Sequence, residues 1–241
     1  MSHKHFTDYD APGAAATFEA EHFGNDVGRF LHETELEKIR SLIDDRDASV
    51  ADIGTGSGRL AIPLARDGHS VVAVDASREM LNVARAKAGD LENLVFEQGD
   101  AHALAFDAQQ FDFTVSIRTL MHFERWDVVL TQICRISRRG VIIDVPPTRG
   151  APILEVLYDR LISGRKPYRT FGLGELERIF SANGFEITFK ERRFLLPIKL
   201  HRLINQLALT NALEGLFRAL GLTWLFGAPL LIKAERVAPG A

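Results

Sequence analysis

The sequence has few of the residues on which secreted, metal-binding and disulfide-linked proteins depend. Its 241 residues include one cysteine, Cys134, which cannot form an internal disulfide. The eight histidines are scattered, and no cluster of Cys and His has the spacing of a zinc site. These shortages predict a reducing, cytoplasmic compartment and no bound metal.

Long apolar runs and a strong excess of one charge are also missing. No stretch of about eighteen apolar residues is present that could span a membrane, and residues 1–10 lack the apolar core of a signal peptide. The formal net charge of −3 lacks the basic bias of a dedicated nucleic-acid binder. We therefore expect neither a membrane span nor a nucleic-acid partner.

Strand-like apolar runs alternate with helical patterns through the first part of the sequence. The strand-like runs lie at residues 50–53, 70–75, 111–117 and 140–146, and residues 93–100 read as a strand followed by a turn. The helical patterns lie at residues 27–43, 58–66, 78–88 and 126–136. Short strands with apolar residues at consecutive positions are buried on both faces, as in a parallel sheet with helical crossovers. The alternation predicts a doubly wound α/β sheet.

The last third of the sequence predicts the closing elements of the same sheet. One helical pattern stops at Gly184 and leads into a strand, and residues 228–237 are again strand-like. Residues 200–222, between these strands, have an apolar helical face. We interpret them as a helical insertion in a closing hairpin and not as a separate domain.

Three glycines follow the first predicted strand directly, in the stretch VADIGTGSGRL (residues 50–60). Glycine is unfavourable within strands and helices, so this crowding indicates a sharp turn or a close approach of a ligand to the backbone. The following helix offers unpaired N–H groups to such a ligand. Asp75, at the end of the next strand, could accept both hydroxyls of a ribose. The stretch therefore predicts a site for a nucleotide-like cofactor.

Two details of this stretch bear on which cofactor it binds. The dinucleotide fingerprint requires G-x-G-x-x-G, but Arg59 occupies the position of its last glycine and Gly58 comes one residue early. Asp52 precedes the first glycine by two residues and would repel a pyrophosphate, whereas it suits a cationic group such as an amino-acid ammonium. Both details disfavour a dinucleotide.

These residues resemble the motifs of class I S-adenosylmethionine-dependent methyltransferases. VADIGTGSGRLAIPLA is similar to the first motif, and VVAVDASREML, VFEQGDAHALAF and FDFTVSIRTLMHF are similar to those of the next three strands. The resemblance covers residues 27–146 and, more loosely, FGAPLLIKAERV. It is nearest the small-molecule group that includes the quinone-biosynthesis C-methyltransferases. Four motifs in order, each at a strand end, make a specific signal.

The resemblance implies a seven-stranded, mostly parallel sheet with helices on both faces. The last strand would be antiparallel, with a helical insertion at about 200–222 before it. Residues 1–241 would form a single domain, in which residues 1–45 form an N-terminal helical lid. Residues 46–146 would then be the cofactor-binding core, and residues 147–241 the substrate-side half.

The resemblance also assigns roles to individual residues. Asp52 and the glycines would hold the methionine end of S-adenosylmethionine, and Asp75 would bind its ribose. Asp100 and the backbone of Ala101 would contact the adenine, near Ala76 and Met80. The full predicted cofactor-binding set is Asp52, Gly54, Thr55, Gly56, Gly58, Asp75, Ala76, Met80, Asp100, Ala101 and Arg118.

Simpler interpretations of some of these residues stay open. Asp75 could cap the helix that begins near Ser77, and Asp100 could be an ordinary turn residue. Arg118, which would contact cofactor or substrate, could instead be held in a salt bridge. His122 is the candidate general base because an imidazole ordinarily titrates near neutrality, but it could equally be a surface residue.

The predicted function is methyl transfer from S-adenosylmethionine to a small-molecule acceptor that could be apolar. The acceptor atom, O, N or C, is not determined by the sequence. A non-catalytic module that binds S-adenosylmethionine is the first alternative. An NAD-type oxidoreductase is the second, and the displaced glycine disfavours it. We expect a monomer or a homodimer.

Overall fold

The computed structural model describes residues 25–150, 168–195 and 206–238, together with Ala11, Gly13 and Thr17. Much of the predicted lid lies outside the described residues, and so does the start of the predicted insertion at 200–205.

The described elements follow the predicted alternation of strands and helices. The helices are α1 (Asp26–Leu42), α2 (Ala61–Arg66), α3 (Arg78–Ala88), α4 (Trp126–Ile136), α5 (Leu173–Ala182), α6 (Leu207–Ala219) and α7 (Leu222–Phe226). The strands are β1 (Ser49–Ile53), β2 (Ser70–Asp75), β3 (Leu94–Gln98), β4 (Phe111–Ser116), β5 (Ser137–Val145), β6 (Phe185–Phe194) and β7 (Ala228–Arg236). A 3₁₀ turn (Leu120–His122) follows β4.

The strands form one seven-stranded sheet in the order β3-β2-β1-β4-β5-β7-β6. Strands β1 to β5 pair in parallel, and β7 is antiparallel to both β5 and β6. The predicted fold is therefore confirmed. The strand order reverses between β1 and β4, and in open parallel sheets such a switch point opens a crevice beyond the carboxyl ends of the strands.

Apolar side chains pack on both faces of the sheet. Ala51 and Ile53 of β1 belong to the hydrophobic layer that contains residues of α4 and α5. Val50 of the same strand belongs to the other layer, with residues of α1 and α2. Successive side chains of a strand point to opposite faces, so the consecutive apolar residues reflect burial on both sides.

Local backbone chemistry explains where several helices begin and end. Asn25 caps α1, since its side chain accepts a hydrogen bond from the N–H of Gly28 at 2.8 Å. Ser77 caps α3 in the same way, with the Met80 N–H at 3.1 Å. Gly184 has a φ of +75° and lies between α5 and β6, so the predicted glycine stop is confirmed.

Two boundaries predicted from the sequence differ from the structure by three residues. Helix α2 begins at Ala61 and not at Gly58, because Gly58 has a φ of +77°, which a right-handed helix excludes. Strand β5 begins at Ser137 and not at Gly140, because Ser137 already pairs with Phe111 of β4. Among the described residues, no helix has the length and apolarity needed to cross a membrane.

Substituting Leu130→Ala is expected to lower the free energy of unfolding by about 2 to 5 kcal/mol, through lost burial and the cavity left behind. Leu130 is 0% exposed and lies in the hydrophobic layer between α4 and the sheet. Leu216→Ala is the control, because Leu216 is 53% exposed on α6 and should change stability by less than about 0.5 kcal/mol. Urea unfolding measures both, and equal effects would contradict the assigned packing.

Candidate functional site

The turn after β1 is fastened to the end of β2 by backbone hydrogen bonds. The N–H groups of Gly54 and Thr55 both donate to the carbonyl oxygen of Val74, at 2.8 and 3.0 Å. Gly54, Gly56 and Gly58 have left-handed φ angles of +79°, +55° and +77°. Glycine is the residue that adopts such angles at little cost, so the three glycines set the path of this turn.

The three glycines differ in what surrounds them. A Cβ on Gly54 would lie 2.4 Å from Cγ2 of Thr119, and a Cβ on Gly58 would lie 2.8 Å from Cδ1 of Ile62. A Cβ on Gly56 would meet no atom of the chain within 4 Å, as far as the described residues go. Gly54 and Gly58 thus serve packing, whereas the bare backbone of Gly56 faces open space.

Asp75, the last residue of β2, links the glycine turn to the start of α3. Its Oδ2 accepts a hydrogen bond from the N–H of Gly56 at 2.7 Å, and its Oδ1 accepts one from the N–H of Ser77 at 2.9 Å. The capping position of α3 belongs to Ser77. Asp75 thus stands between the glycine turn and the start of α3, at the carboxyl end of β2.

Asp52 places a buried carboxyl group beside the glycine turn. It is 2% exposed, and within the described ranges its Oδ2 has no hydrogen-bond partner. Burial raises the pKa of this carboxyl to about 7, the nearby charge of Asp75 acts in the same direction, and interactions with the Thr55 side chain and the Ala61 backbone oppose the rise. A buried acceptor without a donor costs free energy. The site therefore favours a hydrogen-bond donor or a cation at this point.

The end of β3 contributes an exposed acceptor beside apolar side chains. Asp100 has 58% of its side chain exposed, and its Oδ1 accepts a hydrogen bond from the N–H of His102 at 2.9 Å. Ala101 and Met80 are buried, and Ala76 is half-buried. The arrangement combines polar and apolar contacts, as recognition of a heteroaromatic base requires.

The loop after β4 lies beside the glycine turn through Thr119. Arg118 precedes it with a φ of +57°. The guanidinium of Arg118 donates to Oε2 of Glu35 at 2.9 Å, and its backbone N–H donates to Oδ1 of Asp144. The guanidinium is therefore engaged in a salt bridge. His122 is exposed on the 3₁₀ turn.

Sequence reasoning did not identify Glu35 and Asp144. Glu35 interrupts the apolar stripe of α1, between Leu31 and Ile39 at helical spacing, and it is 7% exposed. Asp144 interrupts the apolar run of β5 and is 4% exposed. In both cases the sequence carried one indication: an acidic residue stands where the apolar periodicity of the helix or strand predicts a core residue.

The predicted residues thus lie at the ends of four adjacent strands, at the carboxyl edge of the parallel part of the sheet. They are contributed by the turn after β1, the end of β2 with the start of α3, the turn after β3, and the loop after β4. Within the part of the chain that the structure describes, no group of three His, Cys, Asp or Glu side chains is placed to hold a metal ion.

A family model described as "Methyltransferase domain" matches residues 50–140 of the chain. The matched range runs from the second residue of β1 into β5 and contains the glycine turn, Asp75, Asp100 and Arg118. The family predicted from the sequence motifs is therefore confirmed for this part of the chain.

Two curated proteins are similar to the chain over part of their length. An uncharacterized protein of Mycobacterium tuberculosis is 36% identical over 126 residues, which make up 52% of this chain and 44% of that protein. The uncharacterized methyltransferase YcgJ of Bacillus subtilis is 28% identical over 184 residues, or 73% of this chain and 68% of that protein. The chain thus covers less than half of the first relative's length.

A solved structure resembles the chain over almost its whole length. Magnesium protoporphyrin IX methyltransferase of Synechocystis, crystallised with bound SAH, superposes with a TM-score of 0.71 at 18% identity. The superposition covers 97% of this chain and 98% of that one. This similarity shows the fold.

The raised pKa of Asp52 predicts a pH-dependent effect of Asp52→Asn on stability. The folded pKa of about 7 lies above the ordinary aspartate pKa of 3.8, so ionisation of Asp52 destabilises the fold as pH rises from about 4 through 7. The asparagine does not ionise. The variant should therefore gain stability relative to the wild type between pH 5 and pH 8, on the order of 2 kcal/mol.

The matched control for this prediction is Asp112→Asn. Burial acts to raise the pKa of Asp112, but hydrogen bonds from Arg138 and Ser49 outweigh it and lower this pKa to about 2. The contribution of Asp112 is lost only as pH falls below about 4, so its variant should differ from the wild type by a constant amount between pH 5 and pH 8. Chemical denaturation at a series of pH values measures both. A flat difference for Asp52→Asn would contradict the assigned burial of its charge.

Proposed function

Because residues 50–140 belong to the methyltransferase domain family, we propose that the chain transfers a methyl group from S-adenosylmethionine to a small-molecule acceptor. The observation that carries the proposal is the pair of carboxylates around the glycine turn. Asp52 has a buried oxygen without a donor among the described residues, and Asp75 fastens the turn through the N–H of Gly56.

The residues around Gly56 fit the methionine end of this cofactor. The unpaired Oδ2 of Asp52 suits the ammonium group, which would stabilise the ionised form of a carboxyl whose pKa burial raises. The open space beside Gly56 lets a ligand lie directly against the backbone. Thr55 and Gly58 complete the turn, and Gly54 allows it to pack against Thr119.

The residues at the ends of β2 and β3 fit the nucleoside. Asp75 is the proposed acceptor for the two ribose hydroxyls, because its carboxylate lies at the end of β2 beside the glycine turn. Asp100 has an exposed carboxylate that could accept from the adenine amino group, and the backbone N–H of Ala101 is the proposed donor to the ring. Met80 and Ala76 supply apolar contacts for the base. These contacts would fix the cofactor at both ends.

In this reaction the main contributions of the protein are to orient the cofactor and the acceptor and to exclude water. S-adenosylmethionine, when bound, would supply an activated methyl group on a sulfonium, and an acceptor held in line would bond to that carbon as its bond to sulfur breaks and S-adenosylhomocysteine leaves. A neutral amine acceptor needs no general base. For an O or C acceptor we retain His122 as the candidate base, because it follows β4 on an exposed turn where an acceptor could reach it.

The acceptor, partners and location belong to the same proposal. An apolar acceptor is supported by the exposed apolar side chains of α6 and α7, among them Leu209, Leu216 and Trp224. The weak net charge supports a small molecule over a nucleic acid. We propose a monomer or homodimer in the cytoplasm, in keeping with the lone, buried thiol of Cys134.

The direct test is to incubate the purified protein with S-adenosylmethionine labelled in its methyl group and with fractionated metabolites. Mass spectrometry should find a small molecule that has gained the label, together with S-adenosylhomocysteine. Tight binding of the cofactor without any S-adenosylhomocysteine formed from any fraction would favour the non-catalytic module. Binding of NAD but not of S-adenosylhomocysteine would favour an oxidoreductase.

Substituting Asp75→Ala is expected to weaken binding of S-adenosylhomocysteine at least tenfold, or about 1.4 kcal/mol, because the ribose loses its acceptor. Asp75→Asn keeps one acceptor oxygen for the turn and should weaken binding less. The control is Asp90→Ala, since Asp90 is exposed beyond the far end of α3. Isothermal titration calorimetry measures all three, and unchanged affinity in Asp75→Ala would contradict the ribose assignment.

A further inference from the structure

Three charged side chains from distant parts of the chain meet beside the glycine turn. Glu35 lies on α1, Arg118 follows β4, and Asp144 lies near the end of β5. Glu35 and Asp144 are 7% and 4% exposed. We call these three residues the arginine cluster.

The backbone of Arg118 is held in a conformation that arginine rarely adopts. Its φ of +57° is left-handed, and such a conformation costs free energy for a residue with a Cβ. The Asp144 carboxylate accepts from the Arg118 N–H, and the Glu35 carboxylate accepts from the guanidinium at 2.9 Å. Both contacts favour this conformation, one at each end of the residue.

Thr119, the residue after Arg118, connects the conformation of Arg118 to the glycine turn. Thr119 lies against Gly54, where a Cβ would come within 2.4 Å of Cγ2 of Thr119. Its hydroxyl also donates to the carbonyl of Ile117 at 2.9 Å. A change in the backbone at Arg118 would therefore move Thr119 against the turn beside Asp52.

We propose that the arginine cluster is a positioning device for the methionine end of the cofactor, in which Arg118 ties helix α1 and strand β5 to the loop after β4. This inference rests on the proposed function. Arg118 acts here through Thr119 and Gly54, and its guanidinium is directed to Glu35. It is therefore a positioning residue and not a catalytic one.

The charges within the cluster make this device sensitive to pH. Burial and, after it, the charge of Glu35 raise the pKa of Asp144 to about 7, against the opposing effect of its contacts with Arg118. On its other side β7 places Leu230 and Leu231, which carry no charge. As pH falls through about 7, Asp144 becomes protonated and is a weaker acceptor for the Arg118 N–H. The loop should then be held less firmly.

The first test removes the guanidinium while allowing the left-handed backbone. Arg118→Gly should weaken binding of S-adenosylhomocysteine about fivefold or more at pH 8, since the link to α1 is lost. Gln109→Gly is the matched control, because Gln109 also has a positive φ, +59°, but lies at the opposite end of β4. It should leave the affinity unchanged. An unchanged affinity in Arg118→Gly would overturn the proposal.

The second test uses the pH dependence of the same affinity, which a merely structural role would not move. Affinity of the wild type should fall as pH decreases from 8 to 6. Asp144→Asn should flatten this dependence, leaving the part due to Asp52. Glu35→Gln removes the like charge, so the midpoint should shift to lower pH, by about half a unit or more. If both variants show the same pH dependence of affinity as the wild type, the proposal is overturned.

The two proposals fail in different ways. If the wild type binds no S-adenosylhomocysteine, the proposed function fails. If the wild type binds but the cluster variants bind equally well, with the same pH midpoint, the positioning role alone fails. Thermal unfolding of each variant reports whether it folds. If Arg118→Gly does not fold, the near-isosteric Glu35→Gln and Asp144→Asn variants decide the question.

Discussion

The hydrogen bonds between the turn after β1 and the end of β2 are the constraint on which the site depends. Two consecutive N–H groups, of Gly54 and Thr55, share the carbonyl of Val74, and the N–H of Gly56 binds Asp75. These bonds require the chain to reverse within a few residues, which in turn requires left-handed backbone at the glycines. The open space at Gly56 and the buried carboxyl of Asp52 both follow from this path.

Two buried carboxyl groups, of Asp52 and Asp144, lie at this edge of the sheet, and their raised pKa values suit them to interact with cations and hydrogen-bond donors. Burial raises the pKa of both Asp52 and Asp144 to about 7. Such groups are costly in an empty site, but the cost falls when a cation or a donor arrives. For Asp52 the structure leaves an oxygen with no partner among the described residues, whereas Asp144 already accepts from the N–H of Arg118. Asp52 is thus suited to bind a ligand, whereas Asp144 is suited to hold the loop after β4 in place.

The sheet topology explains how residues so far apart in the chain can form one site. Parallel pairing of β1 with both β2 and β4 brings three carboxyl ends side by side, and β5 continues the row. Each strand end then supplies a short loop of its own, so binding residues can differ while the sheet stays the same. The family model matches this same region, residues 50–140.

The sequence by itself determined the strand and helix order, the methyltransferase-like motifs of residues 50–140 and the glycine turn, because these depend on periodicity and on short motifs within a few residues of each other. It also placed Asp52, Asp75 and Asp100 at strand ends. Only the tertiary structure decided the start of α2, where the turn's backbone angles override the helical pattern. It alone joined Arg118 to Glu35 and Asp144, 83 and 26 positions away. No local pattern encodes such contacts, since they exist only once β4 pairs with β5 and α1 packs on the sheet.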